Sequence, residues 1–256
     1  MLSRSILATA ISLVLITQTH AAGTATSEQI GNSNLTEITQ QASQNVSAAM
    51  LQDGDSNLAF VAQKGAELTI QTTQRGTGNL LDIRQDGWES TAEITQNGQI
   101  NVATVYQRPF DNAQLSAIVD QHGQGNEATI QQLDANVSYA RTTQDGINNF
   151  VEVQQIGPMS SISVKQIGES NDVSAHQTAS GADILQTGNN NNVELDQYSD
   201  SYAQTIVEQN GSFNDANVNQ SSGGRYPGGT VDLYQQGERN EAQAQAGLGP
   251  MSTSIR

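Results

Sequence analysis

The residues best able to do chemistry in this sequence are its three histidines and its acidic side chains. Histidine and carboxylate groups are common metal ligands, but a metal site also needs a suitable ligand spacing. His20, His122 and His176 show no such spacing, and the chain contains no cysteine. We therefore expect His122 and His176 to be solvated side chains in or near turns, and we expect no metal site and no cofactor.

Two other kinds of site would use similar residues. A serine nucleophile needs a histidine base that a carboxylate orients, and no spacing in the sequence orients such a triad. Calcium-binding β-roll repeats carry G-G-x-G-x-D, which the segments GNNNN and DGDSN do not supply. The sequence therefore predicts a protein that is not an enzyme, with its acidic residues on a solvated outer face.

Glutamine and asparagine, in contrast, recur at fixed spacing. Residues 144–155 read QDGINNFVEVQQ, which follows the skeleton Q-x-G-x-x-N-x-(apolar)-x-(apolar)-x-Q. The first glutamine of each copy is Gln29, Gln52, Gln74, Gln96, Gln121, Gln144, Gln166, Gln186, Gln209 or Gln235. Glycine follows at offset two and asparagine at offset five in all ten copies, and a second glutamine at offset eleven in nine. Because glycine and asparagine each make up less than a tenth of the sequence, chance cannot produce this register, and the pattern indicates one repeat array.

Residues between the amides alternate with the period of two that is typical of β-strands. After the asparagine, Val151 and Val153 share one parity and Glu152 has the other. A second strand precedes the first glutamine, as Ile162 and Val164 precede Gln166. Each repeat is therefore predicted to be strand, turn, strand, turn, with its glycine in a tight turn.

Two short strands cannot bury an apolar face alone, but stacked copies can. We predict an all-β fold, a β-solenoid of about ten strand-turn-strand repeats stacked into two facing parallel sheets, with paired strands about 4.8 Å apart. The asparagine and both glutamines share the parity of the apolar residues, so they should point inward and pair with their copies above and below, as in cross-β packing. The predicted structural ladder consists of Gln52, Gly54, Asn57, Gln63, Gln74, Gly76, Asn79, Gln96, Gly98, Asn101, Gln121, Gly123, Asn126, Gln144, Gly146, Asn149, Gln166, Gly168, Asn171, Gln186, Gly188, Asn191, Gln209, Gly211 and Asn214.

Residues 1–21 are predicted to be a secretory signal peptide that is cleaved after Ala21. The segment has one basic residue near its start, an apolar run over residues 6–16, and the small residues Thr19 and Ala21. The alternative is a membrane anchor, but a spanning helix needs about 20 apolar residues. We expect a secreted protein that is extracellular or at the cell surface, with no transmembrane segment in the mature chain.

The remaining chain divides into a short N-terminal lead at 22–28, the repeat array at 29–245 and a C-terminal tail at 246–256. Two long steps in the array contain Pro109 and the loop-like segment SSGGRYPGG that begins at Ser221. The tail contains Pro250 and is expected to be a frayed end or a weak cap. The formal net charge of −16 disfavours nucleic acid as a partner.

The skeleton resembles the curlin repeat of curli subunits, which are secreted functional amyloid proteins of bacterial surfaces. That repeat reads roughly S-x-x-x-x-x-Q-x-G-x-x-N-x-A-x-x-x-x-x-Q, and it is matched by Gln96, Gly98, Asn101, Ala103 and Gln107. The resemblance covers about residues 29–245. The serine at the start of the family's repeat is usually absent, the copies are more numerous than in a short curlin, and no glycine-rich N-terminal export segment is evident.

The resemblance implies a structural subunit of an extracellular curli-type amyloid fibre, a fimbrium or pilus that serves cell adhesion and biofilm matrix. Such a subunit would assemble by edge-to-edge strand addition. The implied partners are further copies, other curli subunits and the curli secretion machinery. The alternative is a monomeric secreted β-solenoid that binds a ligand or surface, such as ice or a glycan, on a flat face. Ice binding would call for regular outward threonine rows, and we expect Thr36, Thr91 and Thr104 to form none. A third hypothesis is an enzyme built on a parallel β-helix.

Overall fold

The computed structural model describes residues 13–18, 23–109, 113–222, 229–246 and 252–255. These residues form twenty β-strands, and none of them is in a helix. The strands are β1 (Leu13–Gln18), β2 (Gly23–Ile30), β3 (Leu35–Gln44), β4 (Val46–Asp55), β5 (Leu58–Ala66), β6 (Thr69–Thr77), β7 (Leu80–Trp88), β8 (Ser90–Gln99), β9 (Val102–Pro109), β10 (Leu115–Gln124), β11 (Glu127–Asn136), β12 (Ser138–Ile147), β13 (Phe150–Pro158), β14 (Ser161–Glu169), β15 (Asp172–Asn189), β16 (Asn192–Ser212), β17 (Asp215–Ser222), β18 (Thr230–Glu238), β19 (Glu241–Ala246) and β20 (Ser252–Ile255).

Parallel pairing arranges the strands in two stacked sheets. The first sheet contains the odd-numbered strands from β1 to β13, and the second contains the even-numbered strands from β2 to β14. The long strands β15 and β16 contribute their first parts to the first sheet and their second parts to the second. β17 and β19 then continue the first sheet, while β18 and β20 continue the second.

The register of this pairing places equivalent residues of successive repeats side by side. Gln74 lies beside Gln96, which in turn lies beside Gln121. The expected all-β, parallel β-solenoid fold is thereby confirmed, with about nine turns where the repeat count had suggested about ten.

The core lies between the two sheets and is narrow because its apolar side chains are small or medium-sized. In a typical turn, Val151 and Val153 of β13 are fully buried, as are Ala140 and Ile162 of the second sheet. One continuous cluster of such residues extends through most of the stack. Burying a valine, leucine or isoleucine contributes roughly 1.5–3 kcal/mol, so stability comes from many modest contributions along the stack.

The segments that we expected to be irregular are partly ordered. Most of the lead at 22–28 belongs to β2, which pairs in parallel with β4. Pro109 is the last residue of β9 and lies beside Ala135, after a shift in register. Ser252–Ile255 of the tail pair with β18, from Thr230 to Leu233. The rest of the tail beyond Ala246, and most of the segment that begins at Ser221, lie outside the described residues.

The predicted signal peptide is described only over β1, which pairs with β3. The predicted cleavage point after Ala21 lies outside the described residues, so the signal peptide stays a prediction. Across the described residues, we find no helix with the length and apolar character that crossing a membrane requires.

Candidate functional site: amide ladders and open strand edges

The first glutamine of every repeat takes part in one ladder of hydrogen bonds along the second sheet. From Gln29 to Gln209, each Nε2 donates to the Oε1 of the equivalent glutamine in the next repeat at 2.7–3.0 Å, and the ladder ends at Gln235. The predicted ladder glutamines from Gln52 to Gln209 are fully buried in this ladder. Because every step has the same direction, the ladder is polar, with its donors directed towards the C-terminal end.

The same amides also connect the two sheets. Gln144 of β12 donates from Nε2 to the carbonyl oxygens of Glu127 and Asn149, both at 2.9 Å. Gln74 of β6 likewise donates to the carbonyl oxygen of Leu58, at 3.0 Å. A buried amide without partners would cost free energy, and these amides avoid that cost by bonding both along and across the stack.

The second glutamine of each repeat forms another ladder in the first sheet. It extends from Gln40 to Gln220 with Nε2 to Oε1 distances of 2.7–3.3 Å. Only Gln63 of this column is in the set of ladder residues predicted above. The members left out of that set are also buried, and their signal was the repeated offset of eleven residues; they are Gln40, Gln85, Gln107, Gln132, Gln155, Gln177, Gln197 and Gln220.

The asparagines lie at the corner of each turn, where the chain passes from the second sheet to the first, and their side chains form hydrogen bonds there. The Nδ2 of Asn149 donates to Oδ1 of Asn126 at 3.1 Å and to the carbonyl oxygen of Gly168 at 2.9 Å. Its own Oδ1 accepts from both the backbone N–H and the Nδ2 of Asn171. The other predicted ladder asparagines are buried in the same column: Asn57, Asn79, Asn101, Asn126, Asn171, Asn191 and Asn214.

The glycines of the predicted ladder set lie at the same corner, where two physical requirements exclude side chains. Gly146 has a φ of +138°, a region that is unfavourable for residues with a Cβ. A Cβ on Gly146 would also overlap the carbonyl oxygen of Gly168 in the next turn. The same overlap with the following glycine applies throughout the set: Gly54, Gly76, Gly98, Gly123, Gly168, Gly188 and Gly211.

Sequence reasoning missed a further corner position, immediately before the asparagine. Its backbone is left-handed in every repeat, with φ values such as 57° at Ser56, 54° at Asn148 and 56° at Ile100. Serine, glycine and asparagine are frequent at this position, which was the available signal, because glycine and asparagine tolerate this conformation best. Ile100, Phe213 and Arg239 are the bulky exceptions and are exposed.

The histidines and acidic groups lie on the outer surface and form short-range pairs. The Nε2 of His122 is 2.9 Å from Oδ1 of Asp120, and the Nδ1 of His176 is 3.2 Å from Oδ1 of Asp196. His176 lies within strand β15 and not in a turn. In the part of the chain that the structure describes, no group of three or more histidine and acidic side chains is arranged to hold a metal ion.

One carboxyl group on the outer face of the first sheet is perturbed. Partial burial raises the pKa of Asp172 above its ordinary value, and the negative charge of Glu152 on the adjacent strand raises it further. Glu152 belongs to β13 and Asp172 to β15, which pair directly. The ionised form of Asp172 is therefore disfavoured in the folded chain.

The threonines named in the sequence analysis differ in burial. Thr36 is fully buried, whereas Thr91 lies in an outward column of hydroxyl side chains across five turns of the second sheet. This column consists of Thr24, Ser47, Thr69, Thr91 and Ser116. Equivalent offsets in successive repeats align regardless of repeat length, so these hydroxyl groups share one face, but the column is not the regular threonine row that ice binding would call for. The row includes serine at two places and is followed by Tyr139.

The two ends of the stack carry complementary polar groups. Along the asparagine column, each Oδ1 from Asn34 to Asn214 accepts from the next asparagine. Among the described residues, nothing donates to the Oδ1 of Asn240, the last in the column. At the other end, the backbone N–H of Asn34 has no acceptor within the described chain. The acceptor at one end and the donor at the other are the groups that one further step of the ladder would join.

Comparison with known proteins identifies the repeat. The family model of the curlin associated repeat matches residues 31–65. This segment is therefore similar to a curlin repeat. The matched segment extends from one corner glycine, Gly31, through β3 and β4 to Gly65 in β5, and the same skeleton recurs in register along the remaining array. A search of curated proteins found no match to the chain.

Proposed function

We propose that this protein is a structural subunit of an extracellular curli-type fibre and that the fibre grows by edge-to-edge addition of further copies. The observation that carries the proposal is the complementarity of the two ends. A second copy placed with its Asn34 above Asn240 would donate its N–H to Oδ1 of Asn240, as Asn57 donates to Asn34 at 3.0 Å within the chain. The polar ladders would thereby continue from one copy to the next with the same direction.

The terminal strands support edge addition. Natural sheets usually protect their edges with charges, prolines or a covering segment, and natural solenoids usually end in capping repeats. Here β19 ends the first sheet with six residues, and β20 covers only Thr230–Leu233 of β18. The stretch of β18 from Tyr234 to Glu238 is therefore not paired on that side by any described strand. An unpaired backbone edge is a template for another chain.

The repeat family supports the proposed biological role. The curlin repeat is a structural repeat and not a catalytic one, and its family indicates an extracellular or cell-surface protein. We accordingly propose export, with the signal peptide cleaved after Ala21, and a fibre that serves cell adhesion and biofilm matrix. Its proposed partners are further copies, other curli subunits and the curli secretion machinery.

Fibre diffraction tests the proposal directly. The chain from residue 22 to 256 would be purified in denaturant, refolded and incubated at high concentration. We expect fibres with a reflection at about 4.7 Å along the fibre axis. A chain that stays monomeric on size exclusion after long incubation, and gives no such reflection, would rule out the fibre function.

The hydroxyl row favours the alternative function, a monomeric secreted β-solenoid that binds a surface on its flat face. Thr24, Ser47, Thr69, Thr91 and Ser116 would then be the binding residues. Replacing Thr69 and Thr91 with valine distinguishes the two functions. Fibre growth should be nearly unchanged by these outward substitutions, whereas binding of a monomer to ice or a glycan surface should be lost.

A further inference from the structure

The predicted signal peptide contains a copy of the first strand of the array. Residues 13–18 read LVLITQ and residues 35–40 read LTEITQ, so leucine, isoleucine, threonine and glutamine recur at equivalent places. Gln18 precedes Gln40 by 22 residues, which is one repeat length. The repeat pattern therefore extends into a segment that is expected to be removed on export.

The structure pairs this copy with the strand that it resembles. All six residues of β1 lie in parallel register beside β3, from Leu13 beside Leu35 to Gln18 beside Gln40. The segment therefore occupies the backbone edge at which the first sheet begins.

That edge is the one that a neighbouring copy needs under the proposed function. Within the chain, β17 pairs with β19, with Asp215 beside Glu241 and Gln220 beside Ala246. One repeat further on, the partner of Glu241–Ala246 would be Leu35–Gln40 of the next copy. β1 and β19 each have six residues, so they would cover the same stretch of β3 and exclude each other.

We propose that Leu13–Gln18 is a removable cover on the docking surface of β3, and that the natural occupant of this surface is β19 of a second copy. Cleavage after Ala21 would detach β1 and open the edge. The uncleaved chain would then be held back from assembly, and assembly would begin only after export. This inference rests on the proposed fibre function.

The expected size of the effect follows from the fraction of time for which the edge is open. If β1 leaves β3 exposed for about one-tenth of the time, the apparent affinity for the next copy falls about tenfold. An uncleaved chain can still dock its own C-terminal end onto a fibre, but it then presents a covered edge to the following copy. A small molar fraction of uncleaved chain should therefore slow the growth of fibres made from cleaved chain.

The test compares four chains at equal concentration: residues 1–256, residues 22–256, and residues 1–256 with Leu15→Pro or with Ala10→Pro. Proline at position 15 removes a backbone N–H from the middle of β1. Position 10 lies before β1, so Ala10→Pro controls for the effect of a proline elsewhere in the predicted signal peptide. Seeded growth is followed by light scattering. Hydrogen exchange of the Leu35–Gln40 amides is measured on the soluble chains.

We expect about tenfold slower growth and slower amide exchange for the full chain, restored by Leu15→Pro but not by Ala10→Pro. Equal growth and equal exchange of the full chain and of residues 22–256 would overturn the cover while leaving the fibre function intact. Slow growth that persists in the Leu15→Pro chain would also overturn the proposal, because residues 1–21 would then slow growth without the pairing of β1 with β3. If residues 22–256 form no fibres, the fibre function fails and the cover fails with it.

Discussion

At the scale of the residue, the unusual feature of this protein is a core that contains amides beside its apolar side chains. Burying a polar group without a partner costs free energy, whereas a paired group contributes modestly to stability. Gln144 and Asn149 have partners above, below and across the core. Each therefore depends on the turns on either side of it, so a change at one rung also affects its neighbours.

Replacing Asn149 with alanine tests this dependence. The change removes the acceptor for the N–H of Asn171 and leaves Oδ1 of Asn126 with only the backbone N–H of residue 149 as a donor. We expect the free energy of unfolding to fall by roughly 1–3 kcal/mol and fibre growth to slow, and Gln144→Ala should act alike. Glu152→Gln is the outward control and should change stability by no more than about 0.5 kcal/mol. Denaturant midpoints and lag times measure both effects; a damaging Glu152→Gln with a silent Asn149→Ala would mean that the two faces are reversed.

The corner glycines allow a second test at this scale, because two of them differ in available space. Alanine at Gly146 would overlap Gly168 of the next turn, whereas alanine at Gly78 would have the Cγ1 of Ile100 as its nearest neighbour, at 3.8 Å. Both glycines have positive φ. We expect Gly78→Ala to cost about 1 kcal/mol for the left-handed backbone, and Gly146→Ala to cost more than about 4 kcal/mol. Equal denaturant midpoints for the two variants would contradict the close approach of successive turns.

At the scale of the element, each corner between the second sheet and the first includes a left-handed residue just before the asparagine. This conformation costs an ordinary L-residue about 1–2 kcal/mol and suits asparagine better. Ile100, with a φ of 56°, carries that cost, while Asn148 occupies the equivalent place two turns later with a φ of 54°. The corners therefore differ in local strain, although their backbones are alike.

Exchanging these two residue types tests the strain. Ile100→Asn should raise the free energy of unfolding by about 1 kcal/mol, and the reverse change, Asn148→Ile, should lower it by a similar amount. Thermal or denaturant unfolding of the soluble chain measures both. If both variants shift stability in the same direction, the backbone conformation is not the cause.

At this scale, the stability of the first sheet should depend on pH through Asp172, which lies on its outer face. Because the pKa of Asp172 is raised by burial and by Glu152, the folded chain binds more protons than the unfolded chain between the ordinary and the raised pKa. Stability contributed by this group therefore increases as pH falls through that window, and above the window its ionised form is destabilising.

Replacing Asp172 with asparagine should remove the penalty. We expect the variant to be more stable than the parent chain near pH 7, with the difference disappearing below about pH 4, where carboxyl groups are largely protonated. Glu127→Gln in the same outward column is the matched control. Denaturant midpoints at the two pH values measure the difference; an equal gain from both substitutions at pH 7 would mean that general charge reduction, and not Asp172, is responsible.

At the scale of the whole molecule, net charge opposes the end-to-end stacking of copies that we propose. The chain carries 26 acidic against ten basic residues, and removal of residues 1–21 would take away one base and no acid, giving 9 − 26 = −17. Like charges on stacked copies repel one another, and salt screens this repulsion. The polar ladders give the stack a direction, so growth at the two ends need not proceed at the same rate.

Assembly of residues 22–256 should therefore accelerate as pH falls towards about 4 or as salt is raised to about 0.15 M. Lag times measured across both series test this expectation, and the salt effect should shrink at low pH because fewer charges remain to be screened. Lag times that are independent of both salt and pH would contradict it.

Much of the fold could be read from the sequence because its determinants are local. The alternation of Val151, Glu152 and Val153 places the two valines in the core and the glutamate outside. The repeat length of 20 to 26 residues places equivalent residues of successive repeats side by side. Fold class, parallel pairing and the two facing sheets follow from these patterns, and the structure confirms them. The curlin-repeat resemblance rested on the same residues and is confirmed over residues 31–65.

Other features depend on contacts between turns, and only the tertiary structure decided them. The direction of the glutamine ladders, the overlap that excludes a side chain at Gly146, and the hydroxyl row through Thr91 all involve residues of neighbouring repeats. So do the perturbed carboxyl of Asp172 and the pairing of β1 with β3. A repeat pattern shows which residues are equivalent, but the distances and hydrogen-bond directions between equivalent residues are set only when the turns pack against one another.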